Sequence, residues 1–149
     1  MTNSPQQTIP SIEAFGGLDG IKKVLLAFYR RVFTDPMIGY LFQKQSMEQL
    51  VERETQWTAK ALGVKIEYQG QPLAKAHQKH PIRRGHFHRR NQLLFQTLEE
   101  QNLPKECILW WKQHSLAMER AILGQAHHDQ ACEQTANKAS ATPTIWNKA

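Results

Sequence analysis

The stretch KAHQKHPIRRGHFHRR, residues 75–90, holds four histidines and six cationic side chains. Such residues could form a metal site, a nucleic-acid surface, or one essential histidine among solvent-exposed neighbours. A zinc site is disfavoured, because His86 and His88 would project to opposite sides of a helix and no cysteine lies at ligand spacing. A nucleic-acid surface is also disfavoured, since no reading motif is present and the aromatic residues fall on apolar faces.

A single histidine can hold iron when a macrocycle supplies the other four ligands, as in haem proteins. His77 is the candidate, because it ends a short helical piece that carries Leu73 and Ala76. His80 precedes Pro81, which biases the preceding residue to extended geometry, so His80 is expected at the surface. A metal hypothesis therefore depends on His77 alone.

Length and composition limit the class of protein that can carry this stretch. The chain has 149 residues, of which 40% are hydrophobic and 21% charged, as expected for one soluble domain with its own core. Its two cysteines are far apart, so a reduced, cytoplasmic setting is expected. The N-terminus is polar, and no apolar run approaches the ~18 residues that a membrane span needs. The formal charge of +6 permits an acidic partner without specifying one.

Three segments are distinguished along the chain. Residues 1–12 form a polar, flexible extension, residues 13–124 form the domain, and residues 125–149 form a tail that is either disordered or docks a partner. Within the domain there is no internal repeat, and no segment alternates apolar and polar residues over strand length. The domain is therefore predicted to be all helical.

Four amphipathic helices must position the candidate residues. They are predicted from Asp19 to Asp35, from Ser46 to about Leu62, from before Phe87 to about Asn102, and from Pro104 to Gly124. Asp19 is the expected N-cap of the first helix, and Ser46 with Gln49 forms the expected capping box of the second. The last helix is expected to bury Ile108, Trp111, Leu116 and Ile122. The segment between the second and third helices is mostly loop, so something other than helix must occupy part of the interior of the domain.

Polar residues fall on the inward faces of three of these helices. Glu54 lies near the centre of the apolar stripe of the second helix, and Arg90 and Asn91 share the inward face of the third. Tyr29 lies beside the apolar face of the first helix. Burying such groups unpaired costs several kcal/mol, so they pair with one another, face a polar ligand, or reach water from the edge of a stripe.

A family resemblance emerges from several motifs in order. They are the Gly16–Gly17 pair, FYRRVFTDPMIGYLF, ALG, YQGQPLAKAHQKHPI, GHF and LPKECI. Over about residues 14–124 the chain resembles the truncated (two-over-two) haemoglobins, in their group 1 branch. The resemblance implies an all-α, two-over-two helical sandwich that encloses a haem, with the proximal helix reduced to about one turn.

The resemblance also implies roles for individual residues. His77 matches the proximal histidine that ligates the iron of haem b, and Tyr29 matches the distal tyrosine that bonds the iron ligand. Glu54 lies where many relatives carry a distal hydrogen-bonding residue, so Tyr29 and Glu54 are the expected reactive pair. Leu50 matches the distal gate. The other implied cofactor-binding residues are Phe28, Phe42, which wedges against the porphyrin, Arg53, placed for a propionate, Trp57, Leu73, Phe87 and Arg90.

Glu54 and Arg90 depart from the family pattern. A carboxylate cannot donate a hydrogen bond unless it is protonated, and Arg90 occupies a wall position that is usually apolar or aromatic. Because both fall on inward faces, we expect them to form a polar pair near the distal pocket, with Tyr29 as a third member.

Two functions compete at this point. The first is a haem protein that binds O₂, NO or CO. Turnover in this family would convert nitric oxide and oxygen to nitrate. A separate reductase would be needed to return the haem iron to the ferrous state, because the sequence shows no flavin or nicotinamide domain. The second is an interaction module, with altered or absent haem function, that docks an acidic protein. It would use the C-terminal tail and a cationic run. Such a run is more often the solvent-exposed start of a helix than a docking surface. The run consists of Lys79, Arg83, Arg84 and Arg89.

Overall fold

A computed structural model describes residues 8–67 and 83–133 of the chain, with side chains as far as residue 123. The elements in order are a 3₁₀ turn at Ile12–Phe15, α1 at Gly17–Thr34, a 3₁₀ turn at Gly39–Phe42, α2 at Met47–Ala61, α3 at Arg84–Glu100 and α4 at Lys105–Glu133. These two ranges contain no strand, so the all-helical prediction is confirmed. None of the described helices is both long and apolar enough to cross a membrane.

The core lies where the pair formed by α1 and α2 packs against the pair formed by α3 and α4. α1 packs against α2 and α3, and α3 packs against α4. α1 contributes most to this core because its apolar residues recur at helical spacing and face both layers. The buried residues of α1 are Ile21, Val24, Leu25, Phe28, Tyr29 and Val32.

α1 begins with a glycine turn. Gly16 (φ 87°) and Gly17 (φ 75°) both adopt left-handed backbone conformations that residues with a side chain rarely take. The Gly20 N–H already bonds the Gly16 carbonyl at 3.2 Å, so Gly16 is the N-cap and the prediction that Asp19 caps the helix is wrong. Asp19 instead lies in the first turn, where a carboxylate is favoured by the helix dipole. A Cβ on Gly20 would lie 1.9 Å from the Phe15 carbonyl oxygen, so only glycine permits this approach.

α2 has the bounds that its local signals predict. The Ser46 hydroxyl accepts a hydrogen bond from the Gln49 N–H at 3.3 Å, which caps the helix start. The helix ends at Ala61, and Gly63 adopts a left-handed conformation (φ 88°) just beyond.

α3 is tied to the end of α1 by an ion pair between Asp35 and Arg89. The Asp35 Oδ1 accepts hydrogen bonds from Arg89 Nε at 3.0 Å and Nη2 at 2.6 Å. Arg83 and Arg84 are exposed as expected, whereas Arg89 still reaches solvent with 30% of its side chain but is held by Asp35. Its partner lies on a distant segment, which helical spacing within α3 could not reveal.

α4 differs from its prediction in length and in its buried face. Trp111 and Ile122 are buried as expected, but Leu116 is exposed and Ser115 takes the inward position beside it. The helix also continues past Gly124 to Glu133. A single interior glycine costs only about 1 kcal/mol relative to alanine, and no proline lies between Gly124 and Glu133 to end the helix earlier.

Candidate functional site

The described site residues come from four elements. Phe28 and Tyr29 lie on α1, Phe42 in the second 3₁₀ turn, Leu50, Arg53, Glu54 and Trp57 on α2, and Phe87 and Arg90 on α3. Phe28, Tyr29, Phe42, Leu50, Phe87 and Arg90 are buried, whereas Arg53, Glu54 and Trp57 are half-buried. His77 and Leu73 lie outside the described residues, so their predicted roles remain predictions.

Glu54 is the centre of a buried polar cluster. It lies one turn beyond the buried Leu50 on α2, and its side chain is only 11% exposed. Its Oε2 accepts a hydrogen bond from the Tyr29 hydroxyl, and its Oε1 accepts one from Arg90 Nη2. The contact between Glu54 and Arg90 that the sequence predicted is therefore confirmed, with Tyr29 as the third member.

Arg90 is held from several sides. Its side chain is 5% exposed, and its guanidinium lies over the Phe28 ring, 5.1 Å from the ring centroid. Besides Glu54, it donates from Nη1 to the Ser115 hydroxyl at 2.9 Å. A buried guanidinium needs such partners because an unpaired internal charge costs several kcal/mol.

The polar cluster continues through α4 toward the surface. The Ser115 hydroxyl donates to Asn91 Oδ1 at 2.7 Å, and Asn91 Nδ2 donates to Glu119 Oε2 at 3.2 Å. Glu119 Oε1 in turn lies 3.5 Å from Nε2 of the exposed His88. Sequence reasoning missed Ser115 and Glu119. Ser115 could have been found by the signal that identified Glu54, namely a polar residue at helical spacing between the buried Trp111 and Met118.

Tyr29 is protonated in this environment. Its hydroxyl is buried, and both burial and the nearby Glu54 charge raise the pKa of the phenol well above its ordinary value of 10.0, against a smaller lowering effect of Arg90. Its ring packs among aromatic neighbours, with centroid distances of 4.9 Å to Phe28 and 6.3 Å to Phe42. Tyr29 is therefore a hydroxyl donor held in an apolar wall.

His114 is a further polar residue near this cluster, half-buried, that the sequence did not single out. Its ring stacks on Trp110 at a centroid distance of 4.9 Å, and its Nε2 atom is buried without a hydrogen-bond partner among the described residues. Burial lowers the pKa of the imidazole from 6.5, partly opposed by the Glu54 charge and assisted by that of Arg90. His114 is thus a neutral side chain at the pH of most cells.

Buried apolar residues of three elements accompany the cluster, and Phe42 packs directly beside Tyr29. Phe42, Leu50 and Phe87 are almost fully buried, and Phe42 packs on Phe33 at a centroid distance of 5.9 Å. Residues 8–67 and 83–123 contain no group of three histidine, cysteine, aspartate or glutamate side chains that could hold a metal ion. This arrangement could line one face of a flat apolar cofactor and present a polar group to it.

Comparison with known proteins agrees with this architecture. The chain matches the bacterial-like globin family over residues 11–121. It is 26% identical over 98 residues to a group 1 truncated haemoglobin of Tetrahymena pyriformis, covering 66% of this chain and 78% of that protein. It is 28% identical over 96 residues to a group 1 truncated haemoglobin of Mycolicibacterium paratuberculosis, covering 64% of this chain and 71% of that protein.

Solved structures show the same fold. A crystal structure of a Synechococcus 2/2 haemoglobin in the cyanomet state, with covalently attached haem, superposes with a TM-score of 0.69 at 20% identity, covering 76% of this chain and 97% of that one. The Fe(III) structure of the Tetrahymena pyriformis truncated haemoglobin superposes with a TM-score of 0.64 at 22% identity, covering 74% and 94%. The family match, the helix arrangement and the relatives lead to one conclusion: the chain belongs to the bacterial-like globin family and is a truncated (2/2) haemoglobin.

Proposed function

We propose that this globin binds haem b through His77 and takes a diatomic ligand, O₂, NO or CO, on the side lined by Tyr29 and Glu54. The observation that carries the proposal is the family match over residues 11–121, which spans His77 and all the helices that bring Tyr29, Glu54 and Arg90 together. The role of His77 rests on the resemblance, since the residue lies outside the described ranges.

The described residues fit a haem. A porphyrin needs an apolar surface on its faces, and Phe42, Leu50 and Phe87 supply buried apolar side chains from three elements. A polar group for the ligand side would come from the Tyr29–Glu54 contact, because the Tyr29 ring packs beside Phe42 at a centroid distance of 6.3 Å. Arg53 is a half-buried cation on α2, suited to a charge-assisted contact with a propionate.

Haem would supply an iron atom with an open coordination position for a small ligand. The protein's own part is to exclude water and to fix the polar groups. Phe42 and Leu50 form the apolar barrier, while Glu54 holds the Tyr29 hydroxyl in one orientation and Arg90 neutralises the Glu54 charge.

We extend the proposal to nitric oxide removal, in which one nitric oxide, one dioxygen and one electron give nitrate. The electron would come from a separate reductase. The cytoplasmic, reducing setting expected from the two distant cysteines would supply such a donor.

The docking alternative has less support. Arg89 of its cationic run is engaged by the buried Asp35, and Lys79 and the last residues of the tail lie outside the described ranges. No described contact favours an acidic protein partner.

The proposal is tested by haem uptake. The purified protein should bind one haem per chain with a Soret band, and His77→Ala should abolish the band or weaken haem binding at least tenfold. His88→Ala is the matched control, because His88 is an exposed histidine whose described polar contact is with Glu119. Unchanged haem binding in His77→Ala would contradict the assignment.

A further inference from the structure

The charge state of Glu54 follows from its contacts. Arg90 keeps its proton at any ordinary pH, and its side chain is 5% exposed. Among its described partners, Ser115 and Asn91 are neutral, and Glu54 is the only acid. A buried guanidinium without a counter-charge would be strongly destabilising, so Glu54 is a carboxylate.

The carboxylate fixes the direction of the hydrogen bond to Tyr29. An ionised carboxyl group only accepts hydrogen bonds, and Glu54 uses Oε1 for Arg90 and Oε2 for Tyr29. The Tyr29 hydroxyl must therefore be the donor. Because a phenol has a single O–H proton, the hydroxyl keeps only lone pairs for any other neighbour.

We propose that Tyr29 accepts, rather than donates, a hydrogen bond at the ligand position, so that the site favours small ligands that carry a proton on the iron-binding atom. Water, hydrogen sulfide and hydrogen peroxide belong to this class, whereas O₂ and CO do not. The proposal rests on the haem function proposed above and names the ligand class of the same site. Diatomic ligands still bind through the iron but gain no hydrogen bond from Tyr29.

The alternative is that Tyr29 turns away from Glu54 to donate to a ligand. The carboxylate would then lose one of its two described hydrogen bonds in a half-buried position. Hydrogen bonds to charged groups are strong enough that this rotation would be disfavoured by about 10- to 100-fold. Glu54 therefore acts as a positioning residue that sets the polarity of Tyr29.

The experiment compares Tyr29→Phe with wild type in haem-loaded protein. Sodium sulfide is titrated into the ferric form, and the O₂ dissociation rate is measured in the ferrous form. Tyr29→Phe should weaken sulfide binding by about tenfold, the loss of one hydrogen bond, and change O₂ dissociation less than threefold. Tyr40→Phe is the control, since Tyr40 is an exposed tyrosine whose described partner is His86.

Every outcome is decisive. A sulfide affinity that falls by threefold or more, with O₂ dissociation changed less than threefold, supports the proposal, and any other pattern overturns it. If the wild-type protein, with His77 intact, takes up no haem, the proposed haem function itself is contradicted. Haem uptake with the opposite ligand pattern overturns the acceptor role of Tyr29 alone.

A spectroscopic readout tests the same point without turnover. The infrared stretching frequency of bound carbon monoxide falls when a hydrogen-bond donor faces the ligand and rises when lone pairs face it, so Tyr29→Phe should leave the frequency unchanged or lower it, and a rise would overturn the acceptor role. In the double variant Glu54→Leu/Arg90→Leu the hydroxyl is released and becomes a donor, so adding Tyr29→Phe to that background should shift the frequency. Circular dichroism establishes that the double variant folds, and the absence of a shift in the folded variant overturns the positioning role of Glu54.

Discussion

At the scale of single residues, Glu54 and Arg90 have to be considered together. Their side chains are 11% and 5% exposed, and each supplies the charge that the other needs. Breaking such a pair from one side leaves an uncompensated internal charge, whereas replacing both members by apolar residues can be nearly neutral. Their contribution to the free energy of unfolding is therefore strongly non-additive.

A double-mutant cycle measures this coupling. Glu54→Leu and Arg90→Leu should each lower the free energy of unfolding by about 3–5 kcal/mol, because each strands a buried charge. The double variant should lose less than either single variant. Urea unfolding of the four proteins gives the coupling energy.

The control for this cycle is the exposed pair Lys22–Glu52, whose side chains are 46% and 52% exposed. Glu52→Leu should change the free energy of unfolding by about 1 kcal/mol or less. Additive effects of Glu54→Leu and Arg90→Leu would contradict the charge assignment.

The sequence was sufficient to bring Glu54, Arg90 and Tyr29 together, because a long charged side chain on an inward face needs a partner. It was not sufficient for Ser115 or His114. A serine hydroxyl can bond its own helix backbone, and a neutral imidazole can be buried at little cost, so neither residue demands a partner in the same way. Helical spacing can place Ser115 on the inward face of α4, but its hydrogen bonds to Arg90 and Asn91 can be assigned only when the facing helix is known.

At the scale of elements, the contact between Asp35 and Arg89 controls how α3 sits against α1. Asp35 follows α1 directly, and Arg89 is the residue before Arg90. The Asp35 side chain is 3% exposed and also accepts hydrogen bonds from two backbone N–H groups of the turn that follows. This contact therefore helps to set the rotation of α3 that directs Arg90 inward.

Arg89→Ala tests this contact through pH. At pH 7 the substitution should lower the free energy of unfolding, but by less than the loss of a fully buried partner would, because Arg89 is 30% exposed. The Arg89 hydrogen bonds lower the pKa of Asp35 from 3.8, so the stabilisation is complete above that pH and is lost as the pH falls below it. Wild type and variant should therefore converge in acid.

The comparison is made by urea unfolding between pH 7 and pH 2. Arg84→Ala is the matched control, because Arg84 is an exposed arginine on the same helix. A stability difference that persists unchanged below the pKa of Asp35 would show that Arg89 acts by packing and not through its charge.

Element boundaries were predictable where the signals are local. Ser46 and Gly63 mark the two ends of α2. Ser46 does so through its hydrogen bond from the Gln49 N–H, and Gly63 through its left-handed backbone conformation. The length of α4 and the exposure of Leu116 were not predictable in this way. Helical spacing predicts a broad inward face, at whose edge either Ser115 or Leu116 could lie. Ser115 is the buried residue because its hydroxyl accepts a hydrogen bond from Arg90 on α3.

At the scale of the whole molecule, the fold class and the family were readable from the sequence, because helical periodicity and the motif order extend along the chain. Other contacts between the helices were not readable, since they join residues far apart in the sequence with no inward-facing charge to announce them, such as Asp35 with Arg89. Residues 68–82, which carry His77, lie outside the described ranges, so the proximal side remains a prediction.

Haem loading should stabilise the whole domain. A ligand at 1,000 times its dissociation constant adds about 4 kcal/mol, and each kcal/mol raises the melting temperature by about 2–4 °C in a domain of this size. The haem-loaded protein should therefore melt roughly 10 °C above haem-extracted protein in calorimetry. His77→Ala should show a smaller rise on haem addition, and an equal rise would argue against a ligand role for His77.

The charge pair between Glu54 and Arg90 also limits how this lineage can change. A chain that acquired either residue alone would have carried a stranded charge costing about 3–5 kcal/mol, a large fraction of the stability of an ordinary domain. The two positions are therefore expected to have mutated together or behind a temporary compensating substitution. Descendants that lose one member should lose the other soon afterwards, so among homologues the two sites should covary as a unit.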